Sequence, residues 1–434
     1  MAKKVDLSSV DKAEAMRLAM EAFKKDYGES VVSGDKSIDE LRETLMNVSV
    51  IPTGSLSLDS SLGVWGFPRG RVVELYGKEH SGKTSIALST IGCCQKMGGK
   101  AVFIDVENAL DPLFAINNGA DYSSLIHVKP KSGDDAMNTL DFWLKQNIAA
   151  GQCLVDVIVV DSVAALVTEG QIDNDIGKVD VAVAARLMSQ TMRKITPHLG
   201  ETVVIFINQI REKPGVMFGP TEDTPGGKAL KFYSSVRCAV SKKESLYLMA
   251  DGSIEGYNDS SKKKIKEIGR RVRVKIDKNK VAPKGIEAEF DYVEGTGIVR
   301  EREIALLGIE YGVISQGGAY YSVPGRENKI QGLGNLVNEV ASDEKLQNAI
   351  LNEIKTVVYQ LRKNKVEEAL KKIQENATSS GGNIFNLWAQ GETEKIDIFD
   401  NDQQTPPKEE PAKPEDNNPK PDGKSDMKSS RRRR

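Results

Sequence analysis

The run Gly77-Lys78-Glu79-His80-Ser81-Gly82-Lys83-Thr84 constrains this chain more than any other feature. It fits the pattern G-x-x-x-x-G-K-[ST], in which a glycine-rich loop wraps a phosphate chain. Residues 71–76 before it read as a buried strand, and residues 84–97 after it carry apolar side chains at helical spacing. In a strand–loop–helix of this kind, successive backbone N–H groups and the helix N-terminus converge on the phosphates. Lys83 then reaches the β- and γ-phosphates, the Thr84 hydroxyl is a ligand for Mg²⁺, and Ser85 follows in the first turn of the helix. The sequence therefore predicts a nucleoside triphosphate site over residues 77–85.

Composition excludes several other classes. Of 434 residues, 39% are hydrophobic and 28% charged, a balance typical of a globular chain. No apolar run is long enough to span a bilayer, and no apolar segment follows the basic Met1-Ala2-Lys3-Lys4 as a secretory leader requires. The four cysteines match no zinc spacing and read as buried thiols of a reducing compartment. A net charge of −2 means that any nucleic-acid contact must come from local patches.

The chain is organised as an amphipathic helix, an alternating core, a smaller segment and a tail. Residues 11–27 place Ala15, Leu18, Ala19, Ala22 and Phe23 on one stripe, and a polar stretch near 30–43 separates that helix from the core. From about 51 to 292, strand patterns at 72–76, 101–106, 157–161, 203–207, 236–240 and 272–276 alternate with helices. This predicts an α/β fold with a mostly parallel central sheet and ligands at its carboxyl edge. Two long loops, 169–183 and 211–228, leave that edge, where long loops usually serve function. Residues 285–363 read as a smaller α/β segment with a helix over 344–361. A short helix follows over 366–374, and residues beyond 379 form a polar, proline-rich tail, acidic and then basic, that should be disordered.

Three strands end in residues suited to phosphate chemistry. Glu107 follows the strand at 101–106, where a carboxylate can orient or deprotonate water, although a solvated strand-end acid fits the spacing equally. Asp161 ends an apolar strand, the arrangement that holds a metal shell beside a phosphate loop. Gln209 ends a third strand at the base of the second long loop, where an amide can sense a γ-phosphate or simply cap the strand.

Taken in order, these stretches resemble the bacterial RecA recombinases over roughly residues 11–361. The resemblance rests on Thr53-Gly54-Ser55-Leu56-Ser57-Leu58-Asp59, on the phosphate loop, and on Phe103-Ile104-Asp105-Val106-Glu107-Asn108-Ala109-Leu110-Asp111-Pro112. Further along it rests on residues 155–166, on Phe206-Ile207-Asn208-Gln209-Ile210-Arg211, and on Gly226-Gly227-Lys228-Ala229-Leu230-Lys231-Phe232-Tyr233. It implies a RecA-like ATPase core at 46–284, an N-terminal polymerisation helix and linker within 1–45, a small α/β C-terminal domain at 285–378, and a tail at 379–434. It also implies a cytoplasmic, DNA-dependent ATPase that uses ATP and Mg²⁺, polymerises on single-stranded DNA and exchanges strands with double-stranded DNA. Self-association, LexA-type repressors and recombination mediators are the partners it suggests, with no membrane.

Residue by residue, the resemblance makes Glu107 the catalytic glutamate and Gln209 the group that couples nucleotide state to DNA affinity. Asp111 and Phe114 match adenine contacts. Lys278 and Lys280 match a pair that reaches the ATP of the neighbouring protomer. Met217 and Phe218 match a wedge between bases in the second loop, with Gly226 and Gly227 at that loop's far end. Arg186, Arg193, Lys194 and Arg211 are the nearest cations for DNA phosphates, although helix-surface charge is the plainer reading of Arg186 and Arg193. Arg273 and Lys275 match a duplex-DNA site. The sequence departs from the family in a longer loop at 244–259 and in the final Arg431-Arg432-Arg433-Arg434. Two rival readings are a ring-forming helicase-type or circadian-type ATPase on the same core, and a passive single-strand-binding scaffold.

Overall fold

A computed structural model describes residues 11–27, 37–168, 181–212, 222–250, 254–256 and 264–379. The expected tail beyond 379, the body of both long loops and the wedge residues Met217 and Phe218 lie outside the described residues.

Two helices open the described chain. α1 (Lys12–Tyr27) follows the predicted bounds closely. α2 (Ile38–Met46) occupies what the sequence suggested was linker. Its signal is a capping box: Ser37 Oγ accepts the Glu40 N–H at 3.2 Å, and the Glu40 carboxylate accepts the Ser37 N–H at 2.7 Å. A short pair of strands, β1 (Val50–Ile51) and β2 (Phe67–Pro68), flanks α3 (Leu56–Ser61).

The central sheet then builds up from β3 (Val72–Gly77), β4 (Ala101–Asp105), β5 (Ile126–Val128), β6 (Val157–Asp161) and β7 (Val203–Gln209). Between them run α4 (Lys83–Lys96), α5 (Pro112–Asn117), α6 (Gly133–Ala150) and α7 (Val181–Ile195). A small ribbon, β8 (Arg211–Glu212) with β9 (Glu222–Asp223), precedes α8 (Gly227–Tyr233). Then come β10 (Val236–Met249), β11 (Ile254–Gly256), β12 (Lys264–Asn279), β13 (Glu287–Val293) and β14 (Gly297–Val299). The ten-stranded sheet has the order β14-β13-β12-β10-β3-β7-β6-β4-β5, with β11 hydrogen-bonded to β10. From β10 to β5 every pairing is parallel, and from β10 outward through β12, β13 and β14 every pairing is antiparallel.

Side-chain alternation explains why these runs are apolar throughout. On β6, Val157 and Val159 enter the core on one face, and Ile158 and Val160 enter the core on the other. On β7, Ile205 and Ile207 lie on the first face and Val204 and Phe206 on the second. α4 covers the first face and α6 with α7 covers the second, so strands buried on both sides need no polar alternation.

The structure corrects three expectations. The segment at 244–259 is no simple loop, because β10 continues to Met249 and pairs with both β11 and β12. Charged residues hid the strand period there, but Leu246 and Met249 are fully buried, and Glu244 meets Arg271 across the ladder at 2.5 Å. The two C-terminal helices are one. After α9 (Glu301–Glu310), the strands β15 (Ser315–Gly317), β16 (Tyr320–Ser322) and β17 (Ile330–Gln331), and α10 (Leu333–Ser342), a single α11 runs over Glu344–Ser379. The sequence suggested a break between a helix ending at 361 and another starting at 366. Nothing between them stops a helix, and Val366, Ala369 and Leu370 continue the buried stripe. Finally, β13 and β14 lie beyond residue 284 yet remain in the central sheet.

A third apolar cluster begins at Ile304 and joins α9, α10 and α11 to Leu56 of α3. Its seam with the core contains a buried carboxylate. Glu303 is 1% exposed and accepts the Ser55 hydroxyl at 2.5 Å and the Ser57 N–H at 2.9 Å. Burial pushes its pKa up to about 7, and burial pushes neighbouring Asp59 up to about 8. An acid whose folded pKa lies above its unfolded value adds stability at low pH and loses it as pH rises through the folded pKa. The thermal midpoint should therefore fall as pH is raised from 5 to 8. Glu303→Gln should flatten that fall, as differential scanning calorimetry across the range would register.

Candidate functional site

The loop that leaves β3 and the carboxyl ends of β4 and β6 line one cavity of about 300 Å³. Strand order explains the convergence: the chain leaves β3, passes over β7 and β6 through α4, and returns at β4. Such crossovers open a crevice at the carboxyl edge of a parallel sheet.

The phosphate loop forms one wall of the cavity. Gly77 ends β3 under the β10 backbone, and a Cβ added there would lie 2.0 Å from the Val240 carbonyl oxygen. Lys83 is 7% exposed, and its ammonium donates to the carbonyls of Gly77 at 3.1 Å and Lys78 at 2.6 Å. Burial lowers its pKa, while the carboxylates of Asp161 and Glu107 act against that shift. His80, Ser81, Gly82, Thr84 and Ser85 also line the cavity. Lys78 and Glu79 instead face an adjoining cavity of about 710 Å³ that Arg273 and Lys275 share.

The acids Asp105, Glu107 and Asp161 also line the cavity. Thr84 Oγ1 donates to Asp161 Oδ2 at 2.8 Å. Burial pushes the Asp161 carboxyl up to about 7, with the Thr84 bond opposing and Glu107 reinforcing the shift. A hydroxyl and a carboxylate with few other partners make a donor set that fits a hard divalent cation. Glu107 stands beside them, its Oε1 accepting the Ser162 hydroxyl at 2.5 Å and the Gln209 amide at 3.4 Å. The sequence did not single out Ser162. Asp105 serves the scaffold: its carboxylate accepts the N–H groups of Ala109 at 3.1 Å and Leu110 at 3.0 Å and faces His127 Nε2 at 3.1 Å.

The far end is apolar, with Phe103, Ala109, Leu110 and Phe114 on the wall. Asp111 lies off the wall. It caps α5, with Oδ1 accepting the Phe114 N–H at 2.9 Å, and so holds the backbone that carries the aromatic ring. Arg270 and Glu294 also line the cavity.

The structure does not bring Lys278 and Lys280 to this cavity. The Lys280 N–H donates to Ser235 O at 3.0 Å, and the Ser235 N–H to Val72 O at 2.8 Å. Lys280 is thus level with the start of β3. At about 3.3 Å per residue, that point lies about 17 Å from the phosphate loop. Lys278 donates to the Lys231 and Phe232 carbonyls at 2.7 and 2.9 Å, and burial lowers its pKa, with Lys280 adding to the effect.

The cations expected to meet DNA take varied positions. Arg186 and Arg193 are exposed on α7, seven residues apart and so on one face. Lys194 is paired with Asp141 of α6 at 2.8 Å. Arg211 is exposed on β8. Arg273 is paired with Glu287, and Lys275 lies 3.7 Å from Asp277. Gly226 starts α8 with φ +85°, and a Cβ there would meet Val163 Cγ1 at 2.7 Å, so the second loop re-enters the core tightly. Below it, Asn208 donates to the Glu74 carboxylate at 3.1 Å and to the Pro225 carbonyl at 3.0 Å.

Among the described residues no cluster of three or more histidines, cysteines or acids is placed to hold a metal. No described helix is long and apolar enough to cross a membrane.

With this geometry in hand, comparison with known proteins is informative. A family model described as the RecA N-terminal domain matches residues 14–299. Protein RecA of Saccharopolyspora erythraea is 46% identical over 319 residues, covering 73% of this chain and 84% of that protein. Protein RecA of Heliobacterium modesticaldum is 44% identical over 317 residues, with 73% and 84% covered. Protein RecA of Mycobacterium marinum is 42% identical over 347 residues, with 80% and 92% covered.

The contact at Gly77 yields a direct test. Gly77→Ala should push the loop off its seat under Val240 and weaken ADP binding by about tenfold or more, given a backbone clash of this size. Calorimetric titration beside a circular-dichroism check of folding would show it.

Proposed function

The chain belongs to the RecA family, and on that premise we propose that the cavity over the phosphate loop holds ATP with Mg²⁺ and hydrolyses it while the protein is polymerised on DNA. The protein is a DNA recombinase and a DNA-dependent ATPase, acting in homologous recombination and DNA repair. The observation that carries the site reading is the placement of Glu107 between Ser162 and Gln209, beside Lys83 and the Thr84–Asp161 pair.

Each group then has a task set by its position. Backbone N–H groups of the phosphate loop and the N-terminus of α4 receive the β- and γ-phosphates. Lys83 exchanges its carbonyl partners for phosphate oxygens. Thr84 and Asp161 hold Mg²⁺, which when bound neutralises charge on the transferring phosphoryl group. Glu107 orients the attacking water and takes its proton, held in register by Ser162. Gln209 shares Glu107 and stands at the root of the second loop, so loss of the γ-phosphate releases that loop and weakens its hold on DNA. Phe114 stacks on the base, with Asp111 steadying it.

Lys278 and Lys280 sit at the opposite edge of the sheet, which supports a role in the neighbouring protomer's site and none in their own. They stabilise developing negative charge across the interface. The N-terminal region, 1–45, docks protomer to protomer, and the small C-terminal domain and tail modulate access of double-stranded DNA. Single-stranded DNA lies along the loops at 169–183 and 211–228, with Met217 and Phe218 as the wedge. Arg186, Arg193, Lys194 and Arg211 serve its phosphates, and Arg273 and Lys275 serve the duplex. LexA-type repressors and recombination mediators complete the proposed partners, and the cytoplasm is the proposed location.

ATP hydrolysis measured with and without single-stranded DNA tests this reading. DNA should stimulate the wild type strongly. Glu107→Gln should lower kcat about 100- to 10,000-fold, the usual range for a lost general base. Lys280→Ala should lose the stimulation. Mixing the two variants should restore part of it, because some interfaces then pair an intact Glu107 with an intact Lys280. DNA-independent hydrolysis indifferent to Lys280→Ala would overturn the shared site.

A further inference from the structure

A histidine behind the cavity holds one of its acids from outside. Asp105 ends β4 at the register position of Asp161 on β6, and both line the cavity with Glu107. Three acids around one cavity repel one another, so each needs donors to keep its place. The Thr84 hydroxyl serves Asp161, and the Ser162 hydroxyl with the Gln209 amide serves Glu107. Asp105, 2% exposed, draws a donor from the strand beyond it. His127 of β5 lies opposite Phe103 of β4 in the ladder, and its Nε2 meets Asp105 Oδ2 at 3.1 Å.

The Asp105 carboxylate is the hub of the turn that carries Glu107. Its Oδ1 accepts the Ala109 N–H at 3.1 Å, and its Oδ2 accepts the Leu110 N–H at 3.0 Å. At the start of the turn, the N–H groups of Val106 and Glu107 reach the Asp161 carbonyl at 2.7 and 3.3 Å. Between these anchors Asn108 stands at φ +54°, a left-handed conformation that a residue with a side chain holds only where its surroundings impose it. The turn therefore depends on where the Asp105 carboxylate points. His127 fixes that direction, because it bonds the same Oδ2 that holds Leu110.

The imidazole is itself held. Its ring packs edge-on to those of Phe103 and Tyr122, with centroids 6.2 and 5.9 Å away. A carboxylate only accepts, so Nε2 carries the proton, and Nδ1 of the neutral ring accepts the Tyr122 hydroxyl at 2.8 Å. The Tyr122 turn is clamped to α4, the helix that follows the phosphate loop. There the Gln95 amide donates to Asp121 O and accepts the Asp121 N–H, each at 2.8 Å. We propose that His127 is a positioning residue for hydrolysis, acting through Asp105 to keep Glu107 aimed at the attacking water, with Tyr122 setting its tautomer; this rests on the role given to Glu107 above. His127 does not itself line the cavity. It acts on the rate through the Glu107 turn more than on nucleotide binding, which the phosphate loop carries.

ATP hydrolysis by the full chain on single-stranded DNA, at saturating ATP, tests this beside ADP binding by calorimetry. His127→Leu should lower kcat about tenfold, because a misplacement of about 1 Å can cost about 100-fold, while ADP affinity changes by less than about threefold. His127→Gln, which keeps an N–H donor at similar reach, should recover most of the rate. In a Glu107→Gln background, His127→Leu should cost nothing more, since two changes acting through one group are not additive. The same fractional loss in both backgrounds, a loss of ADP affinity as large as the loss of rate, or an unchanged kcat in His127→Leu would overturn the positioning role and leave Glu107 standing. A kcat that Glu107→Gln leaves unchanged would overturn the hydrolytic reading of the site, and the positioning role with it.

Discussion

The site depends on how β3 is clamped inside the sheet. β3 pairs with β7 on one side and β10 on the other, both in parallel, and its last residue is pressed against the β10 backbone. At its centre is Glu74, fully buried. Its carboxylate takes Arg237 Nε of β10 at 2.5 Å and Asn208 Nδ2 of β7 at 3.1 Å, so one side chain ties three adjacent strands together. A buried carboxylate without such partners would be strongly destabilising, so this register is enforced by charge as well as by hydrogen bonds. The phosphate loop inherits its position from that clamp.

The same network points in two directions. Asn208 touches Pro225 and precedes Gln209, so it lies under both ends of the second long loop. Arg237 stacks over Tyr76, whose hydroxyl meets Asp277 beside Lys278. A continuous polar path thus runs from the root of the proposed DNA loop, through the middle of the sheet, to the edge carrying the lysine pair. It offers a physical connection between the cavity and the proposed interface edge of one protomer. Its groups are rigidly paired, which suits transmission of strain in a close-packed interior.

Much of this was legible in the residues. The phosphate loop, the apolar strands ending in Asp161 and Gln209, and the amphipathic first helix follow from local pattern alone. The extended β10–β12 ladder was not legible, because Lys242, Lys243 and Glu244 break the apolar period while their backbones still pair. Nor was the unbroken α11: its charged stretch reads as a gap unless one sees Arg362 reaching the Leu45 carbonyl and Arg42 meeting Glu367. α2 could have been found from its capping box.

By itself the sequence determined the local pattern: which loop has the spacing of a phosphate loop, which acids and amides end the strands, and which family the order of motifs resembles. These are properties of short segments, set by spacing and residue type. Only the tertiary structure decided which distant groups share the cavity and which do not. It turned Arg270 toward the cavity and Arg271 away from it, because successive side chains on a strand face opposite sides. It set Lys278 and Lys280 at the far edge, because β12 runs antiparallel to its neighbour, and strand direction is fixed by pairing, which no local pattern encodes.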